Sequence, residues 1–211
     1  MTVEICCDSL EAAKTAAGSG ADRIELCADL SCGGLTPSHE LIDEVSTLGV
    51  PVNILIRPRA GDFVYNEHDI HHILFNIAYC GNSKINGVVI GALTREGKVD
   101  IPLCRDMVDL ARSYNLSITF HRAIDESADI MAALDDVLSL GIERILTSGG
   151  RPSAPEGADV IKKMVERAAG RTVIMAGAGI TPENVKNLIA ETGVSEVHGS
   201  RAGIAKVIKN G

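Results

Sequence analysis

The chain of 211 residues has no tryptophan and only three phenylalanines and three tyrosines. An all-β sandwich leans on larger aromatic packing, so this scarcity disfavours it and leaves Val, Ile, Leu and Ala to build the core, as in parallel β/α proteins. Positive charge is also short. With 20 Lys and Arg against 28 Asp and Glu the formal charge is -8, which argues against nucleic-acid partners, whose phosphates are held by clusters of Lys and Arg. No apolar run approaches the ~20 residues that span a bilayer. The opening MTVEICCDSL lacks the basic-then-apolar pattern of a secretory leader. No membrane partner and a cytoplasmic location are therefore expected. The six cysteines (Cys6, Cys7, Cys27, Cys32, Cys80, Cys104) show no CxxC spacing, and in a reducing compartment they read as free thiols.

What is present is a regular alternation. Short apolar, β-branched runs at Val3 to Cys6, Arg23 to Cys27, Val52 to Ile56, Gly87 to Ile90, Ser117 to Phe120, Arg144 to Leu146, Thr172 to Ala176 and Glu196 to His198 predict eight strands. Between them lie segments with apolar residues three and four apart, such as Met107, Val108, Leu110 and Ala111, or Met131, Leu134, Val137 and Leu138. The length suits one domain, residues 1–211. A β-then-α order throughout predicts the α/β class and, within it, a single (β/α)8 TIM-type barrel, compact beside the usual ~250 residues. Thr36-Pro37 and Thr181-Pro182 predict two helix starts with a capping Thr before Pro, and Asp100 predicts a third cap.

In such a barrel functional groups gather where the strands end, and side chains alternate between the interior and the helix layer. That alternation places Glu4 with Cys6, Glu25 with Cys27, Leu55 with Arg57, and Thr119 with His121. Glu4, Glu25, Arg57, Arg59, His121 and Arg122 are then expected to converge at the barrel mouth. So many charges are costly to bury unless paired or used, and both a structural ion network and a working site fit them. In the second case Glu4, Glu25, Arg57 and His121 are candidate catalytic residues, with His121 or a Glu as acid or base.

Glycine-rich turns follow the later strands: Thr147-Ser148-Gly149-Gly150, Gly177-Ala178-Gly179 and Gly199-Ser200. Turns after strands seven and eight are the common phosphate position of this fold. Arg59, Ser148, Gly149, Gly177, Gly179, Gly199 and Ser200 are accordingly candidate anion contacts for a phosphorylated or carboxylated metabolite, although such glycines also serve tight βα connections. No P-loop pattern occurs. A hard divalent metal on Glu4, Glu25 and His121 is a further option. His68 and His72, four apart, have chelating spacing or simply occupy a solvated helix face.

Several longer strings occur in order: EICCDS from Glu4, GADRIELCADL from Gly20, GGLTPS from Gly33, IRPRAGDFVY from Ile56, TFHRAID from Thr119, RILTSGG from Arg144, APEG from Ala154 and MAGAGI from Met175. Over essentially the whole chain they resemble the copper homeostasis protein CutC family. The resemblance implies a β/α barrel in the cytoplasm, a homodimer or higher homo-oligomer, and a role in handling Cu(I). The cysteines proposed for copper in that family fall on Cys6 and Cys27, and two thiolates on neighbouring strands suit soft Cu(I). The chain departs from its relatives at Leu55, where they often carry Met, and at Ser31-Cys32, where they tend to have an acidic residue and Gly.

Overall fold

A computed structural model describes residues 1–209. Among them eight parallel strands close into a barrel in chain order: β1 (Thr2–Cys7), β2 (Arg23–Leu26), β3 (Val52–Leu55), β4 (Gly87–Ile90), β5 (Ser117–Phe120), β6 (Arg144–Thr147), β7 (Val173–Ala176) and β8 (Glu196–Gly199). Each is followed by a helix: α1 (Leu10–Gly18), α2 (His39–Val45), α3 (Glu67–Gly81), α4 (Ile101–Ser113), α5 (Ile130–Ser139), α6 (Ala158–Ala168), α7 (Val185–Thr192) and α8 (Gly203–Lys209). The β4 and β5 bounds match the sequence reading, and the other six strands differ by one residue at one or both ends. Closure pairs β1 with β8, with Glu4 opposite His198. No described helix is long and apolar enough to cross a membrane.

The strand sequences explain the layering. One parity of every strand is apolar: Val3, Ile5, Ile24, Leu26, Ile54, Val88, Ile90, Ile118, Phe120, Ile145, Ile174 and Val197 are buried in one large cluster with the helix faces. The other parity faces inward and is largely polar. Four of its apolar members, Cys6, Cys27, Leu55 and Val89, form a separate small cluster inside the barrel. A TIM barrel interior is a packed core rather than a pore, and here ion pairs fill much of it.

Helix starts show where local signals hold. Asp100 accepts a hydrogen bond from the Leu103 amide at 3.1 Å, with Pro102 in the first turn, so the predicted cap of α4 forms. The two Thr caps do not. Helix α2 begins at His39, capped by Ser38, while Thr36 Oγ1 accepts from the Arg57 amide at 2.8 Å. Helix α7 begins at Val185, and Asn184 Oδ1 accepts from the Thr181 amide at 2.9 Å. In both places the hydroxyl or amide of Thr fastens a βα loop, and the helix starts two or more residues after the Pro.

Candidate functional site

Near the strand beginnings the inward charges pair with one another. Arg23 forms salt bridges with Glu4 and, at 2.5 Å, with Glu196; Arg144 lies 3.4 Å from Glu196 and donates to Ser117 and Thr119. Glu4 also meets His198 Nδ1 at 2.8 Å and Asn53 at 3.4 Å. These contacts link strands far apart in sequence, which only a common interior allows. Burial by itself would raise the Glu4 carboxyl, but the His198 and Arg23 partners outweigh it and hold the group at about 2. His198 shows the same contest: burial disfavours its charge, Glu25 and Glu4 favour it, and the net direction is up.

Above this layer a cavity of about 530 Å³ opens at the strand ends. Its wall takes Cys6 from β1, Glu25 from β2, Leu55 and Arg57 from β3 and its end, His121 after β5, Leu146 from β6 and His198 from β8. Cys6 Sγ lies 3.5 Å from Cys27 Sγ and 3.8 Å from a Glu25 oxygen. Cys27 is fully buried, packed behind Cys6 with Leu55 and Val89. The hydrogen bond to Cys27, then burial and the Glu25 charge, push the Cys6 thiol well above its ordinary value. Burial raises Glu25 to about 7, with His198 opposing and Glu4 assisting. Cys6, Glu25 and His198 each offer one possible ligand atom, all within 4.8 Å of one another.

Arg57 and His121 occupy another part of the wall. The Arg57 guanidinium donates to the carbonyls of Cys32 (2.9 Å), Gly34 (3.1 Å) and Gly61 (2.8 Å), tying the β2–α2 and β3–α3 loops together over the mouth. Its carbon lies 4.8 Å from the Phe63 ring centroid, and the His121 ring lies 4.9 Å from the same ring. Gly91 makes room for the imidazole, because a Cβ there would come within 2.7 Å of the ring. Burial, reinforced by the Arg57 charge, pushes His121 down to about 3. Four buried side-chain polar atoms have no hydrogen-bond partner among the described residues, and three belong to this wall: Glu25 Oε2, Arg57 Nε and His121 Nε2. The fourth is the Tyr65 hydroxyl.

The structure divides the residues that the sequence singled out. Cys6, Glu25, Arg57, Arg122, His121, Gly179, Gly199 and Ser200 line the cavity, as does Cys32. Glu4 lies beneath it in the ion network. Arg59 does not reach the cavity: its guanidinium is bound to Asp69 and Asp62, both at 2.9 Å, and to the Val64 carbonyl at 2.7 Å. Ser148 and Gly149 are also turned away. The Ser148 hydroxyl is held between Asp125 and the Arg151 carbonyl, and Gly149 packs directly on the Gly157 backbone. Gly177 packs on Leu146 and His198 rather than lining the opening. His68 and His72 lie 3.3 Å apart on an exposed stretch of α3, outside the mouth.

His198 is the member of this group that the sequence reading passed over. The signal was available: Glu196 and His198 alternate on β8 as Glu4 and Cys6 do on β1, which sends both inward.

Comparisons with known proteins agree with this architecture. The model of the CutC family matches residues 1–203. A protein of Vibrio parahaemolyticus named CutC is 46% identical over 197 residues, covering 93% of this chain and 80% of its own length. A crystal structure of a Streptococcus agalactiae protein, described as a copper homeostasis protein CutC on a provisional basis, is 31% identical and superposes with a TM-score of 0.90, covering 96% of this chain and 99% of that one. Phosphoribosyl anthranilate isomerase from Thermococcus kodakaraensis, at 16% identity and a TM-score of 0.64, shares the fold alone.

Proposed function

Because the chain belongs to the CutC family, we propose that it takes part in copper homeostasis by binding Cu(I) through the Cys6 and Cys27 thiolates. The observation that carries this reading is the thiol pair: two sulfurs 3.5 Å apart, one on β1 and the other just past the end of β2, one of them lining the cavity and both packed against Leu55 and Val89. Soft thiolates favour Cu(I), and carboxylate oxygens do not compete well for it. His198, within reach of Cys6, supplies a nitrogen that can join the pair. Ligation requires the thiols to lose their protons, so copper uptake releases protons to solvent. The reading includes a cytoplasmic location, where the six free cysteines stay reduced, and assembly as a homodimer or larger homo-oligomer.

Titration with Cu(I) under reducing conditions, against a chromogenic chelator, tests it. The wild type and a Cys7→Ser variant, altered at a thiol in the outer cluster, are expected to compete for one ion per chain. The Cys6→Ser, Cys27→Ser double variant is expected to lose the tight site while melting cooperatively. Undiminished affinity in the folded double variant would remove these ligands and the reading with them.

A further inference from the structure

Glu25, Arg57 and His121 are each more than nine-tenths buried, line one cavity, and carry one polar atom that nothing in the described chain satisfies. A buried polar atom left unpaired is destabilising, and three of them on residues that line one opening point to a ligand that reaches them. Their chemistry defines it.

Arg57 has used Nη1 and Nη2 on loop carbonyls, which leaves Nε–H as a charged donor. His121 Nδ1 sits 3.1 Å from the Ala123 amide nitrogen. A backbone N–H can only donate, so Nδ1 is the acceptor and the neutral ring carries its proton on Nε2. Burial and the Arg57 charge keep the ring neutral far below physiological pH. His121 Nε2–H is thus a second donor, and Phe63 packs against both donor groups. When its carboxyl is ionised, Glu25 Oε2 is an acceptor and requires a donor from the ligand. Arg201 and Arg122 also line the opening, beside Glu126 and Asp125, and Arg122 is paired with Asp125 at 2.9 Å. The cavity, at about 530 Å³, falls within the range of sites for small metabolites.

We propose that this cavity binds a small hydroxy acid, whose carboxylate accepts hydrogen bonds from Arg57 Nε–H and His121 Nε2–H and whose hydroxyl donates to Glu25 Oε2. This goes beyond the copper reading and does not depend on it.

The test uses the full chain, isotopically labelled with nitrogen, freed of metal by a chelator and titrated with glycerate. Long-range proton–nitrogen spectra should first show His121 with its proton on Nε2. Glycerate should then move the Arg57 Nε–H and His121 Nε2–H signals saturably with one common dissociation constant. Propionate, which lacks hydroxyls, should move them about tenfold less effectively, and glycerol, which lacks the carboxylate, should move neither. His121→Phe should weaken glycerate by at least about tenfold, the scale for one hydrogen bond to a charged group, in protein that still unfolds cooperatively. The wild-type spectra decide the matter even if that variant unfolds. Unmoved signals in the presence of glycerate, or a His121 proton on Nδ1, would overturn the proposal. Copper is absent throughout, so the outcome is independent of the Cu(I) titration.

Discussion

The lower and upper parts of the barrel interior are made from the same kinds of residue. Below, Glu4, Arg23, Arg144 and Glu196 share ion pairs and hydrogen bonds, and none is left with an unmatched buried atom. Above, Glu25, Arg57 and His121 each keep one. The two carboxyls record the difference in opposite directions: Glu4 is held at about 2 and Glu25 is raised to about 7, both from 4.5. A dense set of charges therefore does not by itself mark a working site. Its satisfied members hold strands together, and its unsatisfied members define where a ligand fits.

The largest expected effect comes from breaking the lower network. Arg23→Met leaves Glu4 and Glu196 buried without their shared guanidinium, and loss of one partner from such a network costs about 3–5 kcal/mol; urea unfolding measures it. A cost below about 1 kcal/mol would mean that the lower charges are no better matched than the upper ones.

Next is a contrast in pH, measured in metal-free protein as stability differences from the wild type. Glu4 has a depressed folded-state value, so its contribution is present above about 4.5 and is lost as pH falls from there through about 2. Glu25 has a raised one, so its contribution is present below about 4.5 and is lost as pH rises from there through about 7. Glu4→Gln should therefore lose its disadvantage in acid, whereas Glu25→Gln should gain on the wild type between pH 5 and 8, each by about 3 kcal/mol at full extent. Parallel pH curves for the two variants would erase the distinction between the layers.

The smallest effect sharpens the comparison from outside the barrel. Arg167 and Asp135 form a geometrically good pair, at 2.8 Å, between exposed helix positions. Solvent screens such pairs, so Asp135→Asn should leave the unfolding midpoint unchanged, in contrast to the buried network.

Much of this was legible beforehand. Eight β-branched runs separated by helical spacing specify the barrel because both periodicities follow from backbone geometry within each segment. The same rule sends Cys6, Glu25, Leu55 and His121 to the cavity wall. It would have sent His198 there too. The roles of Arg57 and Arg59 were not readable, since Arg57 turns to carbonyls of three loop residues and Arg59 to Asp62 and Asp69. Ser148 and Gly149 likewise serve the packing of their own loop.

The sequence by itself determined the alternation of strands and helices and the parity that makes one face of each strand polar, because these depend on residues close together in the chain. Only the tertiary structure decided which charges meet. Closing the barrel brings His198 to Glu4 across 194 positions, and pairing at short range in a desolvated interior depends on where side chains end in space rather than on how the chain is spelled.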